Sequence, residues 1–162
     1  MPERCQPGLD VVAIAPNPVN ADEAVILNNR GLQLLRISEG RFIPLHEFLF
    51  GKTDCLDFAC IPGEYPEYYV CLSNSQSIWK ISTDPLTVLK ETPFASGFTD
   101  LRGIAYSEQR NQFAVADGAR ILMLKADGAV FQEIPIENSE IFTLEAVAAT
   151  NNGDFFLLGK AL

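Results

Sequence analysis

The side chains best placed to do chemistry in this sequence are Asp57, Asp117 and Glu145, with Arg102 and Tyr65 as the remaining candidates. The three carboxylates are oxygen donors of the kind a hard divalent cation such as Ca2+ takes. Asp57 and Glu145 each follow a leucine at the start of an apolar run, LDFACI and LEAVAA, while Asp117 closes the run FAVAD ahead of a glycine. Carboxylates at turns and strand openings are well suited to accept hydrogen bonds from nearby backbone amides. The expectation is therefore a structural role for each and no resident cofactor, with a divalent metal such as Ca2+ as the competing reading. Tyr65 lies in the aromatic loop GEYPEYY, from Gly63 to Tyr69. Tyrosine offers a large contact area at modest entropic cost, so Tyr65 is the candidate for a partner contact, while Tyr68 and Tyr69 read as core residues of the following strand.

Other chemistry is poorly supported. Ser-His-Asp catalysis would need His46, the only imidazole in the chain, and it falls at the end of an expected outer strand. No G-x-G-x-x-G, P-loop or H-E-x-x-H pattern occurs. The cysteines Cys5, Cys55, Cys60 and Cys71 contain no C-x-x-C pair, which argues against zinc. Cys60 and Cys71 fall in adjoining expected strands and so could be neighbours, and reduced structural thiols are the expectation. A net charge of -9 argues against a nucleic-acid surface, which requires clustered Lys and Arg. The longest apolar runs, such as LDVVAIA from Leu9, are too short for a spanning helix. The opening MPERCQPG lacks the basic and then apolar character of a secretory signal, so the expectation is a cytoplasmic protein with no membrane partner.

The elements that must position these groups are short strands. With 162 residues, 48% of them hydrophobic and 20% charged, the chain is long enough to bury one core and is ordinary globular material. Leu101 to Ile134 contains a complete four-stranded unit: Gly103 to Tyr106, Gln112 to Ala116, Arg120 to Leu124 and Val130 to Ile134, with Asp-Gly turns at Asp117-Gly118 and Asp127-Gly128. Weaker copies surround it. The first has strands at Leu9 to Ala15, Ala24 to Leu27, Leu32 to Ile37 and Phe42 to Leu45. The second starts at Leu56 and continues through Tyr68 to Leu72, Ser77 to Ile81 and Thr87 to Lys90, the last after an Asp84-Pro85 turn. A fourth begins at Leu144 and holds two strands around Asn152-Gly153.

The spacing of Leu9, Leu56, Leu101 and Leu144 is close to the length of roughly 40–45 residues that marks a four-stranded propeller blade. Blades stack face to face, so both faces of an inner strand are buried and the runs should be almost continuously apolar, as VVAIA, YYVCL and FAVA are. A sandwich with one wet face would alternate more cleanly. The expected architecture is an all-β, propeller-type array of antiparallel blades: a lead-in over residues 1–8, blades over 9–55, 56–100 and 101–143, and a half blade over 144–162.

The segment DLRGIAYSEQRNQFAVADGARILMLKADGAV resembles a blade of the propellers that include the gluconolactonase and senescence-marker family, the NHL repeats and the SdiA-regulated, phytase-like surface proteins. LEAVAATNNGDFFLL is similar to the next blade's opening in that group, with Glu145-Ala146 where a Glu-Gly pair often stands. The lactonases of this group bind a divalent metal at the ring axis, and the resemblance implies an Asn ligand just before the Gly-Ile-Ala turn. Arg102 stands there instead, and a cation opposes metal binding. Asp57 is expected to hold in the second copy the place Arg102 has in the third.

Three and a half blades do not close a ring of the usual four to eight. Closure by self-association, two copies making seven blades, or by a partner protein is expected, or else the chain is a piece of a longer propeller. A small four-bladed ring is the less favoured solution. The function expected on these grounds is a noncatalytic interaction module binding a protein partner. A metal-dependent lactonase or phosphoesterase-like hydrolase is the alternative, and a carbohydrate or small-ligand binder a second one, poorly served by the uneven placement of Trp79 and the tyrosines.

Overall fold

The computed structural model describes residues 11–17, 20–29, 31–49, 54–83, 89–137 and 142–161. Among them every regular element is a β-strand. The first sheet comprises β1 (Val11–Pro16), β2 (Glu23–Asn28), β3 (Gly31–Ser38) and β4 (Arg41–Leu49). The second comprises β5 (Cys55–Ile61), β6 (Glu67–Leu72), β7 (Ser77–Thr83) and β8 (Leu89–Ser96), and the third β9 (Leu101–Ser107), β10 (Gln112–Asp117), β11 (Arg120–Lys125) and β12 (Val130–Pro135). The strands β13 (Phe142–Ala149) and β14 (Phe155–Ala161) form a two-stranded sheet. Within each sheet, neighbours in sequence are neighbours in space, the up-and-down order of a propeller blade.

Three apolar seams hold the sheets together. Between the first and second sheets, Val25, Leu27 and Leu32 meet Phe58, Tyr68 and Val70, with Trp79 packed against them. Between the second and third, Tyr69, Cys71 and Ile78 meet Ile104, Phe113 and Val115. Phe113 is the hub of that seam, its ring centroid 4.6 Å from Tyr69, 5.3 Å from Phe94 and 5.0 Å from Tyr106. Between the third sheet and the strand pair, Ala114, Ala116 and Met123 meet Leu144 and Val147. Alternate residues of β10 thus serve opposite seams, which is why FAVA is apolar throughout.

Two outer strands, β4 and β8, differ from the sequence expectation, while β12 follows it. The fourth strand of the second sheet is β8, Leu89–Ser96, shifted towards the C-terminus from the expected Thr87 to Lys90; residues 84–88, with the Asp84-Pro85 turn, lie outside the described residues, as do Leu9, Asp10 and Cys5. Pro93 makes TPF look like a break, yet it sits opposite Trp79 at a bulge on the outermost strand, where a missing N–H costs little. Pro44 does the same opposite Leu35 in β4. Carrying the strand through Pro93 delivers Phe94 to the ring cluster. Phe94 also explains Gly128, which has φ +90 and whose added Cβ would stand 2.6 Å from the Phe94 carbonyl oxygen.

Candidate functional site: the channel-lining strands

The first strand of every sheet, β1, β5, β9 and β13, lines a cavity of about 810 Å3 whose wall includes Ile14, Asp57, Cys60, Tyr106, Val147 and Asn151. This is the position of a propeller's axial channel. Each of these strands is bulged near its start. Pairing passes from Val11 to Ala13, from Cys55 to Asp57, from Leu101 to Gly103 and from Leu144 to Ala146. The skipped residues are Val12, Leu56, Arg102 and Glu145, so these four are equivalent. Asp57 is therefore not the counterpart of Arg102, as expected from sequence; it matches Ala13, Gly103 and Ala146, one residue deeper along the strand. Every inner strand carries the bulge, so the offset lies in the leucines: Leu56 is itself the bulged residue, whereas Leu101 and Leu144 stand just before it.

Asp57 uses that depth. Its Oδ1 accepts from the amide of Phe58 at 2.9 Å and its Oδ2 from the amide of Ile104 at 3.1 Å, so the carboxylate bridges the second and third sheets. Inner-strand amides that face the channel have no further strand to pair with, and Asp57 satisfies one of them. Gly103 makes room, since a Cβ there would come within 3.0 Å of Asp57 Oδ2. Burial pushes the Asp57 carboxyl up to about 6, against the lowering effect of the two amide hydrogen bonds. Nearby thiols move the same way. Desolvation pushes Cys60 up to about 12 and Cys71 well above the ordinary thiol value. Cys60 and Cys71 are not paired neighbours: Cys60 stands opposite Tyr68 and Cys71 opposite Asp57, and Cys55, Cys60 and Cys71 form no disulfide.

The other candidates are held apart. Asp117 is fully buried at the end of β10; its Oδ1 accepts from the amides of Thr99 at 3.0 Å and Asp100 at 2.6 Å, and its Oδ2 from Arg120 Nε at 3.0 Å and Nη2 at 2.8 Å. That set ties the turn before β9 to the β10–β11 hairpin and uses both carboxylate oxygens. Arg102 closes onto Asp100, Nε to Oδ1 at 3.0 Å and Nη2 to Oδ2 at 3.1 Å. The hydrogen bond to Asp100 raises the guanidinium above its ordinary value, with the Glu145 charge adding to it. Glu145 is exposed on the β13 bulge, with Thr143 Oγ1 at 3.5 Å. Tyr65 is exposed in the β5–β6 loop, Tyr68 and Tyr69 are buried, and His46 sits on the outermost β4 opposite Leu34. Among the described residues no three His, Cys, Asp or Glu side chains converge in a metal-binding group.

Sequence reasoning passes over several residues of this framework. Asp54 and Asp100 stand one residue before β5 and β9, and their carbonyl oxygens accept from Ser73 at 2.9 Å and Gly118 at 2.8 Å respectively. An aspartate repeated just ahead of two inner strands is the available signal. Gln76, whose Oε1 accepts from the Leu101 amide at 2.7 Å, carries no comparable mark.

The sheets, their up-and-down order and the channel define a β-propeller architecture. No protein-family model matches the sequence, and no curated protein is significantly similar to it. Solved structures are. The β-propeller domain of Cps50 (Swd1) from Myceliophteria thermophila superposes with a TM-score of 0.62 at 11% identity, over 98% of this chain and 55% of that one. A chain of the nidogen/laminin complex gives 0.63 at 14% identity, over 83% and 52%. A luciferin-regenerating enzyme gives 0.56 at 12% identity, over 91% and 54%. At such identities the likeness carries the fold alone. The chain spans about half the length of these propellers. Among the described residues no helix is long and apolar enough to cross a membrane.

Proposed function

We propose that this chain is a noncatalytic β-propeller interaction module, with the loop carrying Tyr65 and the β9 bulge carrying Arg102 meeting a protein partner. The observation that supports it is the commitment of the polar groups. Asp57 and Asp117 spend both oxygens on amides or a guanidinium, and Arg102 is clamped by Asp100. Hydrolysis at a propeller axis would need carboxylates converging on the channel with oxygens to spare; Asp57 lies in its wall with both oxygens engaged by amides, and Asp117 is committed to the turn before β9. Tyr65 is one of the exposed aromatics that a partner surface would cover.

The competing hydrolase reading rests on Asp57, a carboxyl near neutrality in the channel wall. Incubation with a γ-lactone and with a phosphomonoester, each with millimolar Ca2+ or Mn2+, separates the two. The proposal expects rates at the uncatalysed background. Metal-dependent turnover that disappears in Asp57→Asn or Glu145→Gln would establish the hydrolase instead.

A further inference from the structure

The end of the channel nearer the inner-strand turns is rich in hydrogen-bond acceptors and poor in donors. In an antiparallel pair, residues alternate between bonding across the pair and directing both backbone groups away from it. Phe58, opposite Val70, and Ile104, opposite Val115, are of the second kind, since their amides go to the Asp57 carboxylate. Asp57 takes up those two donors and leaves the two carbonyl oxygens on the channel side. By the same alternation Cys60 and Tyr106, two residues further along, direct their backbone groups there as well. Pro16 and Pro62, also in the wall, have no N–H to offer.

Charge has the same bias. Among the described residues of this wall the carboxyls are Asp57 and Glu108, and none is Lys, Arg or His. Arg110, the cation of the β9–β10 turn, stands outside the wall, 3.6 Å from Asp154. At the other end of the channel Arg102 already answers Asp100. Glu108 is exposed at the mouth beside Tyr106. Burial raises the Tyr106 hydroxyl above its ordinary value, and the Glu108 charge adds to it. That hydroxyl donates to Asn111 Oδ1 at 2.7 Å and the ring stands 5.0 Å from Phe113, so the aromatic face is held in place. A carboxylate, a fixed aromatic ring and carbonyl oxygens together suit a guanidinium, which carries five N–H donors in one plane and stacks on aromatic faces.

We infer that this mouth of the channel receives an arginine side chain from the protein partner, with Glu108, Tyr106 and the inner-strand carbonyl oxygens as its acceptors. The inference rests on the interaction-module reading and names the chemistry of the partner. The cavity of about 810 Å3 has room for the side chain and the backbone that carries it. Two observations favour a protein source over a free guanidinium compound. Tyr65 is exposed in the β5–β6 loop that begins with Pro62, so a partner covering Tyr65 reaches the mouth directly. A small compound seated among the acceptors would leave Tyr65 bare.

Nuclear magnetic resonance titration of the whole 15N-labelled chain with the acetylated and amidated pentapeptide Gly-Gly-Arg-Gly-Gly tests it, at about 0.15 M salt so that distant charges are screened. Saturable shifts should appear at the Cys60 and Tyr106 amides. Glu108→Gln should raise the dissociation constant about tenfold, while Glu47→Gln, on the exposed β4, should change it less than about twofold. The pentapeptide should bind more tightly than arginine amide, and Tyr65→Ala should remove that advantage. The absence of saturable shifts up to about 10 mM peptide overturns the inference. So do equal losses in the two glutamine variants, or binding of Gly-Gly-Lys-Gly-Gly or of arginine amide as tight as that of the arginine peptide. Lactone turnover would sink the noncatalytic reading whatever the peptide does, whereas missing shifts in an inactive protein sink this inference alone.

Discussion

Replacing Asp57 by Asn should change how stability depends on pH more than it changes stability itself. Desolvation raises the folded-state pKa of Asp57 from 3.8 to about 6, while the unfolded chain titrates near the lower value. Between those values the folded protein binds more protons than the unfolded one, so this group's contribution is fully present below about pH 4 and is lost as pH rises through about 6. Each tenfold difference in proton affinity between the folded and unfolded chains is worth about 1.4 kcal/mol, so the contribution that disappears between pH 4 and 7 is roughly 2 to 3 kcal/mol. Asn has no such titration. It also turns one donor towards the Phe58 or Ile104 amide, a cost that is constant with pH and drops out of the comparison. Urea unfolding of both proteins at half-unit steps from pH 4 to 8 reads the effect directly, because the other carboxylates are common to both. The stability of the wild type relative to Asp57→Asn should fall by that amount across the interval. A difference that is flat with pH, or that rises, would refute the assignment of Asp57 as a carboxylate whose desolvation outweighs its two amide hydrogen bonds.

Two further perturbations follow from the same framework. Asp117→Ala removes the acceptor of the Thr99 and Asp100 amides and leaves Arg120 with Glu133 alone, so urea unfolding should show a loss of about 2 to 3 kcal/mol. Gly103→Ala places a Cβ 3.0 Å from Asp57 Oδ2 and 3.6 Å from Ala146 Cα, and should cost about 1 to 2 kcal/mol. Combined with Asp57→Ala the same change should cost markedly less, and a double-mutant cycle with no coupling would show that the carboxylate is not what Gly103 accommodates.

The parts of the fold that can be read from sequence are those where burial on both faces leaves its mark. FAVAD and YYVCL are apolar at nearly every position because they feed two seams, and their strands begin and end within a residue or so of expectation. The outer strands are harder to place. β8 runs through Pro93 and β4 through Pro44, so breaker residues do not report their limits, although the fully exposed β12 lies within a residue of expectation. The candidate site shows the same division. That Asp117, at a turn, and Asp57, at a strand opening, accept from backbone amides is in keeping with residue type and position. That Asp57 reaches across to the Ile104 amide depends on a bulge that adds one residue to each inner strand, and on Gly103 in the neighbouring sheet. Both are features of pairing between strands and leave no local pattern.

That the channel carboxylates are structural and the module noncatalytic is tested most directly by calorimetric titration of Ca2+ into the purified chain at neutral pH. The wild type should give no saturable heat, and Glu145→Gln the same featureless trace. A one-site isotherm that vanishes in Asp57→Asn or Glu145→Gln would contradict the proposal, because those side chains would then be ligands at the axis and not an intersheet bridge and a surface residue.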